Sequence, residues 1–209
     1  MAKRGTHYVC QECGTVHSKW GGQCTGCMAW NTLIEEMSES SSSPFTKGVK
    51  SSASKNKLHF VPLKGSETQT SRRKSGIGEF DRVCGGGLVE GCAILIGGDP
   101  GIGKSTLLLQ AVAQLSKGNS CAYISGEESI DQVRLRAARM GLSESTVDLT
   151  SATNVNTIIS SLKEKHYDVV VIDSIQTMYL DQLDSAPGTV AQVRAASAEL
   201  IRLAKEKGF

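Results

Sequence analysis

The chain has 209 residues, is 39% hydrophobic and 21% charged, and carries a formal net charge of +2. That apolar content is enough for a real core in one or two domains. No apolar run approaches the roughly eighteen residues of a membrane span, and MAKRGTHYVC lacks the apolar stretch of a secretory signal. A cytoplasmic protein with no membrane partner is therefore expected. The charge is uneven: residues 1–75 hold 11 Lys/Arg against 5 Asp/Glu, and residues 76–209 hold 12 against 16. A front of +6 ahead of a remainder of −4 hints at a polyanionic partner, although surface lysines often serve only solubility.

The first element, residues 1–36, carries Cys10-x₂-Cys13-x₁₀-Cys24-x₂-Cys27. Two such knuckles supply four thiolates for tetrahedral Zn²⁺ with no open position, so the site is read as structural, with coordination folding a module too short for its own core. A redox CxxC is the competing reading, and the glycines Gly14 and Gly26 fit metal turns better. His7 and His17 are second-choice ligands. Trp20 and Trp30 are expected to pack over the module, the alternative being stacking on nucleic-acid bases beside Lys19 or Arg4. Residues 37–57 include SESSSSPFTKGVKSSASKNK, with eight serines and no apolar period, and are expected to form a flexible linker.

From residue 58 to 209 strand-length apolar runs alternate with helical periods, the pattern of an α/β domain with a mainly parallel sheet. A strand is expected at 92–97, a helix from about 103 to 116 and a strand CAYIS at 121–125. Ser129 should cap a helix through IDQVRLRAARM that ends at the C′ glycine Gly141. VDLTSA is a short strand. NTIISSLKEKH is a helix with Ile158, Ile159 and Leu162 on its apolar face, followed by the buried strand VVVI at 169–172. A last helix covers 190–207. A sheet of this kind that stops on a helix lacks the strand its crossover would feed, so a fragment of a longer protein is expected. Cys84, Cys92 and Cys121 are taken as buried thiols.

Gly98-x₄-Gly103-Lys104-Ser105 matches the phosphate-loop pattern, placed between an expected strand and an expected helix. Gly98, Gly101 and Gly103 let successive backbone N–H groups turn toward phosphate oxygens, and the helix N-terminus adds its positive dipole end. Lys104 is the candidate for the β and γ phosphates of ATP, Ser105 for Mg²⁺, and Thr106 for the α-phosphate region. Asp99, Pro100 and Ile102 complete the candidate loop, the first two shaping it. VVVID ends at Asp173, where a carboxylate at the end of a buried strand can hold Mg²⁺. Glu127 in YISGEES is the candidate for polarising an attacking water, with Glu128 its rival. Both glutamates would also simply favour a helix N-terminus.

Taken together, YVCQECG, WNT, SGIGEFDRVCGGGLVEG, LIGGDPGIGKSTLLLQ, YISGEES and VVIDSIQT resemble the bacterial RadA (Sms) family of RecA-related ATPases, over nearly the whole chain except the serine-rich stretch. The resemblance implies a RecA-like P-loop core behind a four-cysteine zinc module. It implies a cytoplasmic DNA-repair and recombination ATPase that acts on single-stranded DNA and branched recombination intermediates, promotes branch migration with the RecA recombinase, and forms homo-oligomeric, hexameric rings in its full-length form. Its zinc ligands fall on Cys10, Cys13, Cys24 and Cys27, its phosphate loop on Gly98 to Ser105, its Mg²⁺ acid on Asp173 and its catalytic glutamate on Glu127. Arg194 and the loop from Asp184 to Gly188 fall where such rings meet DNA or a neighbouring subunit. The family's later core strands, a KNRFG motif and a Lon-protease-like domain have no counterpart in residues 1–209. Two other classes remain open from the sequence: a RecA-like phosphotransferase or clock-type ATPase, and a zinc-dependent binding adaptor that uses ATP as a switch.

Overall fold

The computed structural model describes residues 6–37, Lys64 and 71–209. The serine-rich stretch at 38–57 lies outside them. Contacts divide the chain into two units, Met1–Cys10 with Thr15–Thr70 and Gln11–Gly14 with Ser71–Phe209.

In the N-terminal ribbon, β1 (Thr6–Cys10) pairs antiparallel with β2 (Val16–His17) and with β3 (Leu33–Met37). Cys10, Cys24 and Leu33 form its buried cluster, with Tyr8 packed against it. The two knuckles repeat one backbone pattern: Cys10 N–H donates to the Thr15 carbonyl at 3.0 Å and Cys24 N–H to the Ala29 carbonyl at 2.9 Å. Each turn needs a left-handed residue after its second cysteine. Gly14 (φ 72°) meets that need in the first knuckle; in the second it falls on Met28 (φ 63°), not on Gly26.

In the larger unit, β4 (Arg72–Arg73) pairs antiparallel with β5 (Leu88–Val89) across α1 (Gly78–Val83). The remaining elements alternate: α2 (Lys104–Leu115), β6 (Cys121–Ser125), α3 (Ile130–Arg139), β7 (Asp148–Ser151), α4 (Val155–Glu164), β8 (Val169–Asp173), a 3₁₀ turn at Ile175–Thr177 and α5 (Val190–Lys207). The strands form a parallel sheet in the order β7-β6-β8. Strand period two divides its residues between two cores. Cys121, Tyr123, Val169 and Val171 pack with Leu109, Val112, Leu115 and Val133 of α2 and α3. Ile124, on the opposite face, joins Val155, Ile158 and Leu162 of α4 and Ala196 and Leu203 of α5. Each large side chain so buried stabilises by ~1.5–3 kcal/mol relative to exposure.

Capping explains the helix starts. The Ser129 hydroxyl accepts from Gln132 N–H while the Gln132 side chain accepts from Ser129 N–H, a full capping box for α3. Asn154 accepts from Thr157 N–H for α4, and Thr189 from Gln192 N–H for α5. Gly141 follows α3 in the left-handed conformation (φ 70°), as a C′ glycine should.

Three expectations change. The run Cys92–Gly97 forms no strand; Leu95 is 83% exposed and Cys92 is exposed as well. A strand needs a partner for its N–H and C=O groups, and between this run and β8 lies a cavity of about 380 Å³ lined by both and by Leu200, Ile201 and Ala204 of α5. Of the three thiols expected to be buried, only Cys121 is, and burial pushes it up to about 11; Cys84 is half-buried. Trp20 and Trp30 do not pack into the ribbon but stand 61% and 68% exposed. A core of three residues has no room for an indole, and Trp30 merely lies over Gly22.

Asp168 ties the start of the sheet together. It accepts from Ser120 N–H at 2.8 Å, just before β6, and from Arg73 Nη2 of β4 at 3.0 Å. The Ser120 amide, followed by the Arg73 and His166 charges, holds its carboxyl below the usual carboxylate range. A carboxyl depressed in the folded state contributes stability above its unfolded value of about 4 and loses it as pH falls through the lower native value. Asp168→Asn is therefore expected to lower the thermal midpoint at pH 7 by a few degrees, the gap to wild type closing toward pH 3. Thermal scans across pH 3 to 7 check this, and a gap independent of pH would exclude it.

Candidate functional site

The parallel order places the carboxyl ends of β6 and β8 side by side, Ser125 opposite Asp173. Three segments converge there: the start of α2, the turn after β6 and the end of β8. Gly126 N–H donates to the Asp173 carbonyl at 2.8 Å, closing the turn against β8. This approach leaves no room for a side chain. A Cβ on Gly126 would fall on the Thr177 side chain and within 2.9 Å of Met178 Cε. The Asp173–Ser174 peptide bond is cis.

The glycine-rich loop leads into α2 through Gly103, whose φ of 102° suits glycine and makes it the N-cap residue. No side chain caps this helix and no acidic residue lies in its first turn. Its first amides and dipole are thus presented without a competing carboxylate, the arrangement that favours anions. Lys104 reaches back so that Nζ donates to the Gly98 carbonyl at 2.7 Å and the Asp99 carbonyl at 2.8 Å. Phosphate oxygens would take over those donors. Gly98, Asp99, Pro100, Gly101, Ile102, Gly103 and Thr106 are all exposed or half-buried at the surface.

Ser105 Oγ donates to Asp173 Oδ1 at 3.0 Å, joining two residues 68 positions apart. A hydroxyl and a carboxylate that meet where the glycine-rich loop enters α2 form an all-oxygen set of the kind that could hold Mg²⁺. Mg²⁺ bound there would neutralise charge on transferring phosphate oxygens. Tyr123 OH donates to the other oxygen, Asp173 Oδ2. Burial and that carboxylate push the phenol far above its usual range, so it stays a donor. Asp173 is thereby held from two sides.

The two glutamates part company. Glu127 is exposed and accepts from Ser174 Oγ at 2.5 Å. Glu128 is bound by its backbone, its N–H donating to Ser125 Oγ at 2.9 Å, and by its carboxylate, which pairs with Arg136 of α3. Arg136 also lies 4.0 Å from Asp173 Oδ2. Tyr123, Gly126, Arg136 and Ser174 escaped the sequence reading. Only Tyr123 offered a signal there, because a tyrosine in a buried strand needs a partner for its hydroxyl. Arg194 is exposed on α5, while Gln192 beside it is fully buried. Gln192 binds Leu180 N–H and the carbonyls of Leu180, Leu183 and Ser185, shaping the segment that runs into the Asp184 to Gly188 loop.

In the ribbon, the sulfur atoms of Cys10, Cys13, Cys24 and Cys27 all lie within 4.8 Å of one another. Four thiolates at Zn–S of about 2.3 Å would stand about 3.8 Å apart in a tetrahedron; Cys10 and Cys27 Sγ are 3.6 Å apart. Around them Thr32 Oγ1 lies 3.2 Å from Cys10 Sγ, Gly26 N–H donates to Cys24 Sγ at 3.3 Å, and His17 Nε2 lies 3.5 Å from Cys24 Sγ. His17 thus lies against one of the four clustered sulfurs, itself outside the four-cysteine cluster. Such contacts orient thiolates around a metal.

Comparison with known proteins finds a family match in each of the two units. The ATPase family model described as KaiC matches residues 73–154, and that of the rubredoxin metal binding domain matches residues 8–35. DNA repair protein RadA of Brucella abortus is 49% identical over 214 residues, and that of Bacillus subtilis 48% over 212; each match covers 100% of this chain and 46% of the relative. The chain thus spans about half the length of these relatives. Among solved structures, a DnaB-like replicative helicase overlays 68% of this chain and 43% of its own with a TM-score of 0.55 at 20% identity. A second solved structure, of an ATPase domain, overlays 68% of this chain and 62% of its own with a TM-score of 0.53 at 19% identity. Among the described residues no helix is long and apolar enough to cross a membrane. With four clustered cysteines ahead of a RecA-like ATPase fold, the chain is similar along its whole length to the bacterial DNA repair protein RadA.

Proposed function

We propose that this protein is a Mg²⁺-dependent ATP hydrolase of DNA repair, with Gly98 to Thr106 holding the phosphates, Ser105 and Asp173 the metal, and Glu127 polarising the attacking water. One observation carries the reading: the Ser105 hydroxyl and the Asp173 carboxylate meet at 3.0 Å at the N-terminus of an uncapped helix that follows a glycine-rich loop. Lys104 stands beside them, and Glu127 is exposed and outside the ion pair that occupies Glu128. The cysteine ribbon would hold one Zn²⁺ as a structural element.

The finer proposals rest on the relatives' name and on the family resemblance. They are homologous recombination as the setting, single-stranded DNA and branched intermediates as the substrates, branch migration with the RecA recombinase, a hexameric ring of the full-length protein and a cytoplasmic location. Residues 1–36, 37–57 and 58–209 would be ribbon, linker and ATPase core.

ATP turnover with and without single-stranded DNA, on the 209-residue chain and on a chain of its relatives' length, tests the proposal. Turnover stimulated by DNA supports the DNA-dependent motor. Magnesium-dependent ATP binding with slow turnover indifferent to DNA would favour the adaptor that uses ATP as a switch. Phosphate transferred to an acceptor other than water would favour a phosphotransferase.

A further inference from the structure

Arg136 is the charged residue whose surroundings the proposed hydrolysis leaves unexplained. It sits in the last turn of α3, and its side chain is 22% exposed. One terminal nitrogen, Nη2, pairs with Glu128. The other, Nη1, is buried without a hydrogen-bond partner and lies 4.0 Å from Asp173 Oδ2. A guanidinium is always charged and its N–H groups seek acceptors, so a buried, unsatisfied nitrogen turned toward a carboxylate is held there by charge. That carboxylate is the one that Ser105 shares on its other oxygen.

We infer that Arg136 is a positioning residue of the metal–nucleotide site, competing with Mg²⁺ for the charge of Asp173 while its partner Glu128 offsets that competition. The inference rests on the reading of Ser105 and Asp173 as the Mg²⁺ site. Mg²⁺ at Asp173 brings two positive charges close to a guanidinium that cannot lose its own proton. The repulsion is tolerable because Glu128 is pinned beside Arg136, by its backbone to Ser125 and by its carboxylate to the guanidinium. Metal affinity is thereby set by a pair of opposite charges outside the coordination sphere. Glu128 is committed to this pair, which leaves Glu127, bound to the Ser174 hydroxyl, as the carboxylate facing the reaction.

The test is the Mg²⁺ concentration for half-maximal binding of a fluorescent ATP analogue, an equilibrium measurement that needs no turnover. Wild type, Arg136→Gln, Arg136→Lys and Glu128→Gln are compared, with circular dichroism to establish folding. Arg136→Gln removes the competing charge and is expected to lower the Mg²⁺ midpoint about tenfold, since charges a few ångströms apart at a partly buried site interact strongly. Glu128→Gln leaves Arg136 uncompensated and is expected to raise the midpoint by a similar factor. Arg136→Lys keeps the charge and should stay near wild type. A purely structural arginine would leave the midpoint in place or weaken nucleotide binding alike in all three variants, and either result overturns the inference. Should Arg136→Gln fail to fold, an unchanged or lowered midpoint in Glu128→Gln overturns it instead. Wild type with no Mg²⁺-dependent binding would overturn the site reading and this inference together.

Discussion

Cys24→Ser is expected to unfold the N-terminal ribbon while leaving the larger unit intact. The ribbon's buried cluster is Cys10, Cys24 and Leu33, and two of those three residues are candidate metal ligands. Hydrophobic burial of that size contributes only a few kcal/mol, at ~1.5–3 kcal/mol per side chain. Ordering each residue costs ~1–2 kcal/mol in backbone entropy. Coordination of a structural Zn²⁺, worth ~10–16 kcal/mol in small metal-folded peptides, is the one contribution of the required size. Serine keeps the shape but is a poor ligand for a soft-leaning metal. Metal analysis should find about one zinc per chain in wild type, and a chelator should reproduce the effect of the mutation. Nuclear magnetic resonance or limited proteolysis should then show residues 8–35 losing structure first, with the CD signal of the α/β unit retained. The indoles are a weak reporter, since Trp20 and Trp30 are exposed already. A metal-free ribbon with its β1–β3 pairing intact would defeat the zinc reading.

Lys104→Ala is expected to abolish ATP turnover and weaken nucleotide binding, with little change in stability. Its ammonium satisfies two loop carbonyls at 2.7 and 2.8 Å, and in the proposed function it exchanges them for phosphate oxygens. The loop carbonyls belong to exposed residues that water can reach, so the folded state loses little; a change in thermal midpoint within a few degrees is expected. Catalysis is different, because a charge aimed at the transferring phosphate acts most strongly where negative charge develops. Removing one such donor typically costs about 10²–10³ in rate. Steady-state hydrolysis and equilibrium binding of the same preparation separate the two effects. A variant that hydrolyses ATP at the wild-type rate would remove Lys104 from the site.

The differing fates of neighbouring residues show what a sequence reading reaches. Ser129 was recognisable as a helix cap and Gly141 as a helix end because those roles depend on the three or four residues around them. The strand at 121–125 and the apolar face of α4 were recognisable for the same reason: their periodicities of 2 and 3.6 are local. Position in the chain put Glu127 ahead of Glu128, but their different partners were not legible locally, since one is bound by a hydroxyl after β8 and the other by an arginine on α3. Cys92–Gly97 has the composition of a strand, yet a strand is a relation between two segments, and the edge of β8 lies across a cavity from it.

Residue chemistry and short spacings alone were therefore sufficient to single out four cysteines that cluster, a glycine-rich loop that leads into a helix, a carboxylate that ends a strand and the alternation of strand and helix. Only the folded chain could bring Ser105 and Tyr123 onto opposite oxygens of Asp173 from 68 and 50 positions away, orphan one nitrogen of Arg136 beside them, and leave both tryptophans in solvent. Local propensity acts over a turn or two of chain, whereas charge, burial and strand partnership are set by whatever distant segment arrives at the same place.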